Sequence, residues 1–184
     1  MVDLCAYPDT KLIDACYLDR LQSGKTPVPA GRFRRYRLAP GGSTAKQEPV
    51  DTPFEWPRIN YPASNARPYR YAYGAGATTN GHGTPTGAIT KLDPDNAAAI
   101  HWTAEHCYVG EPVFVPRPGS HVEDDGVVLS IVFDPKTGGS FLLVLDGHKL
   151  AERARVHAPH RMPFGFHGDF FPTVAHQTDT RNSG

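Results

Sequence analysis

The sequence predicts an all-β protein made of short antiparallel strands, and three observations predict it. Eighteen glycines and eighteen prolines, about a fifth of the 184 residues, sit among abundant Val, Tyr, Phe and Thr, a balance that suits many turns between pleated segments rather than packed helices. The apolar runs are short and divided by turn chemistry: Asn80-Gly81, Asp93-Pro94-Asp95-Asn96, Asp134-Pro135-Lys136-Thr137-Gly138-Gly139 and Asp146-Gly147-His148. The strands fall into two units of three or four, spaced about 50 residues apart, which favours blades of a β-propeller, with a sandwich as the alternative.

Taken in order, Val2 to Tyr7 reads as a strand ended by Pro8-Asp9. Leu12, Ile13, Cys16, Tyr17 and Leu21 have the spacing of a short helix over residues 11–21. Gln22 to Gly31 is loop. Arg32 to Leu38 alternates basic with apolar residues, a half-buried strand whose arginines face solvent rather than a polyanion. Residues 39–53 read as loop and deliver an aromatic segment, Phe54-Glu55-Trp56-Pro57-Arg58-Ile59-Asn60-Tyr61. Strands follow at Pro68 to Gly74, Gly87 to Asp93 and Ala98 to Trp102. A second unit follows at Pro112 to Pro116, Gly126 to Asp134, Ser140 to Asp146 and Glu152 to His157. A ring needs at least about four blades of roughly 40 to 50 residues each. Residues 1–184 are therefore expected to form part of a single propeller domain, an incomplete ring, with residues 174–184 as a disordered tail.

Composition narrows the partners. Nineteen basic and nineteen acidic side chains balance, and no basic cluster exceeds Arg34-Arg35 with Arg32 and Arg37 nearby, so nucleic acid is not the expected partner. Cys5, Cys16 and Cys107 form neither an even set nor a CxxC pair and read as reduced thiols of a cytoplasmic protein. The first residues carry no basic start followed by an apolar stretch, and no apolar run approaches the ~20 residues of a membrane span.

Three groups of side chains invite a chemical reading. His101, His106 and Cys107 resemble a zinc set, but a spacing of five along a strand would send the two imidazoles to opposite faces. Glu123-Asp124-Asp125 could form an acidic metal loop in a small enzyme; solvated turn charges are the reading preferred here. His167, one of nine histidines, sits between Phe166 and Gly168 after the last predicted strand and could serve as a metal ligand.

Several segments, in order and at consistent spacing, resemble the C-terminal part of the carotenoid cleavage oxygenases. They are Val2-Asp3-Leu4-Cys5-Ala6-Tyr7, Phe54 to Tyr61, Pro68-Tyr69-Arg70-Tyr71-Ala72-Tyr73-Gly74, Gly110 to Pro118, Glu123-Asp124-Asp125-Gly126 and Pro163-Phe164-Gly165-Phe166-His167-Gly168. The resemblance implies a seven-bladed β-propeller with a non-haem Fe(2+) on its axis, bound by four histidines from different blades. His167 matches the last of these. In that family glutamates accept the other ring N–H of three ligands, and Glu55 and Glu111 match two such positions. A carboxylate placed so fixes the tautomer and raises the basicity of the coordinating nitrogen. From the residues alone, Glu55 would be a loop carboxylate beside Arg58, and Glu111 a strand-entry residue before Pro112.

The implied reaction is cleavage of a C=C double bond in an apolar conjugated substrate (carotenoid, apocarotenoid or stilbene) by dioxygen, and one branch of the family isomerises retinyl esters. The family's other three iron ligands lie upstream of the segments matched, the third shortly before the stretch that Val2-Asp3-Leu4 resembles, and none of the other eight histidines matches them. The expectation is therefore a fragment, inactive alone, that needs N-terminal blades to complete the site and touches a membrane, if at all, peripherally through that missing part. The alternative is a non-catalytic partial propeller acting as an interaction module.

Overall fold

The computed structural model describes residues 1–24, 28–77 and 86–172; the predicted Asn80-Gly81 turn, His82, His176 and the tail at 174–184 lie outside them. Among the described residues the strands form three antiparallel sheets. In the first, β1 (Val2–Ala6) pairs with one edge of β2 (Arg32–Leu38), while β3 (Ala45–Gln47) and β4 (Thr52–Pro53) share its other edge. Between β1 and β2 run two short helices, α1 (Lys11–Ala15) and α2 (Leu18–Ser23). The second sheet is the meander β5 (Glu55–Arg58), β6 (Ala72–Gly76), β7 (Ala88–Asp93) and β8 (Ala98–Thr103), with α3 (Tyr61–Ser64) between β5 and β6. In the third, β10 (Val113–Pro116), β11 (Gly126–Asp134), β12 (Gly139–Asp146) and β13 (Glu152–His157) form the meander, and β9 (Tyr108–Val109) shares the β10 edge of β11.

The second sheet is the middle layer, and its sequence shows why. Every residue of β6 and β7 is buried, so both faces are covered. On one face Ala72 and Leu92 pack with Phe33, Val50 and Phe54 toward the first sheet. On the other, Tyr73, Ala75 and Ile89 pack with Phe114, Val128, Val132, Phe141, Leu143 and Leu145 of the third. The period of two sorts these residues to their faces. The first face needs small residues: a Cβ on Gly74 would lie 2.4 Å from the Phe54 ring. In the third sheet the buried positions pair directly across strands, Val128 with Leu145, Ser130 with Leu143 and Val132 with Phe141. Such pairs are the unit of sheet stability.

Polar ties cross the layers where turns meet. Arg35 is buried on the Phe33 face of β2 and forms a two-pronged bond to Asp3 (2.9 and 2.8 Å) and another to Asp95 at 2.5 Å, in the turn between β7 and β8. Its guanidinium also lies over the Tyr69 ring. This corrects the expectation that all the arginines face out: Arg34 interrupts the basic–apolar alternation, so Arg35 shares the inward parity of Phe33. Between the second and third sheets, buried Lys91 donates to Asp124 at 2.5 Å, and Glu123 accepts the N–H groups of Arg70 and Tyr71 at 2.8 and 2.7 Å. The acidic loop is therefore a latch between sheets and not a set of solvated turn charges; only Asp125, paired with the exposed Arg117, fits that description.

The expected helix over residues 11–21 is broken. Tyr17 is extended (φ −63°, ψ 139°) and starts α2 anew, which takes in Gln22 and Ser23 and ends on left-handed Gly24. Ile13, Tyr17, Leu18 and Leu21 are all exposed, Ala15 is the one residue of the two helices that is buried among those described, and helices this short are marginal without more packing. Strands β3 and β4 lie in the segment read as loop, because each needs only the free edge of β2. No described helix is long and apolar enough to cross a membrane.

Candidate metal centre

Glu55 and Glu111 occupy comparable places in neighbouring sheets. Glu55 opens β5, an edge strand of the second sheet, and Glu111 stands two residues before β10, an edge strand of the third. After β13 the chain runs back without regular structure. It is pinned first by the Ser140 hydroxyl, which accepts the Met162 N–H at 3.2 Å. The Phe164 ring then packs edge-on against Tyr108 and Phe133, centroids 5.9 and 5.8 Å apart. This path delivers His167 and Gly168 to Glu111.

Nδ1 of His167 lies 3.2 Å from Oε1 of Glu111, and the Gly168 N–H donates to Oε2 at 2.9 Å. Glu111 is nearly buried (8 % exposed), whereas His167 is 61 % exposed. An ionised carboxylate only accepts, so the proton of a neutral imidazole belongs on Nδ1 and the lone pair on Nε2. That tautomer leaves Nε2 as the nitrogen able to coordinate a metal. The Phe166 ring stands edge-on to the imidazole at 4.4 Å.

Arg58 completes the group, and sequence reasoning missed it. Its Nε is 3.1 Å from Glu111 Oε1, and its Nη2 donates to the carbonyl of Gly168. The alternative drawn from sequence, Glu55 beside Arg58, is thus replaced by Glu111 beside Arg58. A backbone irregularity accounts for the change of partner. Trp56 has φ +50°, and the register with β6 slips between Glu55 and Arg58, so a bulge separates the two side chains. The signal available in sequence was the Trp56-Pro57 step inside a strand, where proline marks an edge or a bulge.

Among the described residues no cation pairs with Glu55. Its Oε2 accepts the Tyr7 hydroxyl, and Oε1 receives only a long 3.4 Å contact from the Trp56 N–H. Burial pushes its carboxyl above the ordinary range, with the Trp56 N–H opposing. No hydrogen bond or ion pair joins Glu55 to His167 among the described residues, and these residues contain no group of three or more His, Cys, Asp or Glu that could hold a metal. The residues present fit a metal as the holders of one imidazole ligand. The described histidines elsewhere have other surroundings. His101 meets the Thr90 hydroxyl at 2.9 Å, His148 lies 3.1 Å from Asp124, and His157 packs on Phe141. His106 lies beyond the end of β8 with φ +60°, so it and His101 do not share the strand assumed above.

Residues 1–172 match the family model of RPE65, retinal pigment epithelial membrane protein. A carotenoid isomerooxygenase from Galleria mellonella is 36% identical, over 94% of this chain and 36% of its own length. Carotenoid cleavage dioxygenase 8 homolog A from Oryza sativa subsp. japonica is 39% identical, over 95% of this chain and 33% of its own. Among solved structures, the cobalt-substituted form of Synechocystis ACO superposes with a TM-score of 0.73 at 31% identity, covering 79% of this chain and 31% of its own. The chain spans about a third of the length of the curated relatives it matches. Its three sheets are blades of a propeller, which removes the sandwich alternative. The chain belongs to the RPE65 family of carotenoid oxygenases.

Proposed function

We propose that this chain supplies the last blades, and one histidine ligand, of a non-haem Fe(2+) oxygenase that cleaves a C=C double bond of a carotenoid or apocarotenoid with dioxygen. The observation that carries the reading is the Glu111–His167 pair: a nearly buried carboxylate holds Nδ1 and leaves Nε2 free to coordinate. When bound, iron would activate dioxygen toward the polyene. The chain's own residues orient the ligand. Glu111 fixes the tautomer of His167, Arg58 holds the adjacent Gly168 carbonyl, and Phe166 packs against the ring. Glu55 is assigned the same role toward an imidazole outside the described residues. One imidazole binds metal weakly, so the 184-residue chain alone is expected to be inactive and to lose iron on dialysis.

The test is a chimera in which residues 1–172 replace the aligned third of the Synechocystis apocarotenoid oxygenase. We expect it to retain stoichiometric iron and to bleach an apocarotenoid, and His167→Ala in the chimera to lose both. A folded chimera that holds iron equally with and without His167 would refute the assignment.

A further inference from the structure

We infer that Tyr7 and Gly31 form a cradle that positions Glu55, occupying Oε2 so that Oε1 is the oxygen left to accept an imidazole N–H. This deepens the functional reading above and rests on it.

The two glutamates share a pattern. On Glu111, Oε2 takes a fixed protein donor, the Gly168 N–H, and Oε1 faces the imidazole. On Glu55, Oε2 takes the Tyr7 hydroxyl, and Oε1 has only the long contact from Trp56. The donors differ in kind, but each pins one oxygen and so fixes the rotamer of the carboxylate. Positioning of this sort governs how well a ligand's second nitrogen is held.

The space for the Tyr7 bond exists because residue 31 has no side chain. A Cβ there would lie 2.6 Å from Glu55 Oε2, 2.9 Å from the Tyr7 hydroxyl and 2.8 Å from the Phe54 carbonyl. Gly31 cannot retreat, since its carbonyl accepts the Phe54 N–H at 2.8 Å. The cradle thus spans two blades: Tyr7 follows β1, Gly31 precedes β2 and Glu55 opens β5. Cys5, the other titratable group against Glu55, has its thiol pushed up to about 12 by burial and then by the Glu55 charge, so it stays neutral.

Two experiments test the inference. In the 184-residue chain, the Glu55 carboxyl carbon is followed by 13C NMR against pH and assigned with Glu55→Gln. Tyr7→Phe removes a donor to the charged form, so the midpoint should move to higher pH. An unmoved midpoint overturns the inference. In the chimera, titration with Co(II) alone should show Tyr7→Phe and Gly31→Ala each weakening affinity about tenfold and shifting the Co(II) visible bands. Loss with Glu55→Gln but none with Tyr7→Phe overturns the cradle and leaves the metal reading intact. No loss with Glu55→Gln sinks the metal role of Glu55 and the inference with it.

Discussion

Nε of Arg58 lies 3.1 Å from Oε1 of Glu111, the same oxygen that faces Nδ1 of His167 at 3.2 Å. Arg58 is anchored in β5 of the second blade and Glu111 in the third, so the C-terminal segment is clamped where two blades meet. The guanidinium donates from Nη2 to the Gly168 carbonyl while its Nε stands at ion-pair distance from Glu111 without a hydrogen bond; a single ammonium does not span both. Arg58→Lys should leave global stability within about 1 kcal/mol, because one charge contact survives, while amide exchange across residues 164–170 accelerates at least about tenfold, the effect of losing roughly 1.4 kcal/mol of local protection. Hydrogen-exchange mass spectrometry reads both, and unchanged exchange would mean that Glu111 holds the segment alone.

The latch between the second and third blades makes a sharper stability prediction. Lys91 and Asp124 are both buried, and His148 is the one further ion-pair partner of Asp124 among the described residues. Burial alone would push the Asp124 carboxyl up; Lys91 and then His148 outweigh it and hold it below the ordinary range. Lys91→Met leaves that carboxylate with only the half-exposed His148 among the described residues and should cost about 3 kcal/mol in urea unfolding. Adding Asp124→Leu should recover much of the loss, since an apolar pair leaves no buried charge behind.

These two clusters mark where the sequence was legible and where it was not. Strand positions in the third blade followed from alternation and turn residues, because β11 and β12 bury one side chain in two and their turns are local. Resemblance singled out His167 and Glu111, and the structure brings them together. Arg35, Arg58 and Asp124 were misread because their partners lie 32 to 110 positions away in sequence, Asp3 directly across the sheet from Arg35 and the others on another layer. Periodicity reports which face a residue occupies, not what waits across from it.

Asp146 supplies a pH prediction. Arg153 first, then the N–H groups of Lys149 and His148, outweigh burial and lower its carboxyl to about 2. The unfolded carboxyl titrates near about 3.9, so the folded state prefers the ionised form. Its contribution is complete above about pH 4 and fades as the pH falls toward 2. Asp146→Asn should cost about 1 kcal/mol near neutrality, a modest figure because the partner Arg153 is half exposed. It should also flatten the acid limb of the stability curve, measured by urea unfolding between about pH 2 and 7.

The two glutamates assigned to the metal centre should respond to neutralisation with opposite signs. Glu111 is nearly buried against Arg58, with His167 and the Gly168 N–H as further partners. Glu111→Gln strands the guanidinium and should destabilise the 184-residue chain by about 3 kcal/mol or more. Glu55 is half-buried with no cation paired to it among the described residues, and its carboxyl is raised, so the folded state binds that proton more tightly than the unfolded one. Its ionised form therefore costs stability at neutral pH, and the cost disappears as the pH falls below its folded-state pKa. Glu55→Gln keeps an oxygen for the Tyr7 hydroxyl and removes the charge, so the chain should become more stable at pH 7 and should not at pH 4. Urea unfolding at both values decides the matter. A carboxylate whose removal stabilises the fold is one held there against stability, as a group kept for an imidazole ligand would be. Destabilisation by Glu55→Gln at pH 7 would instead show that Glu55 also contributes to the fold, as Glu111 does through Arg58.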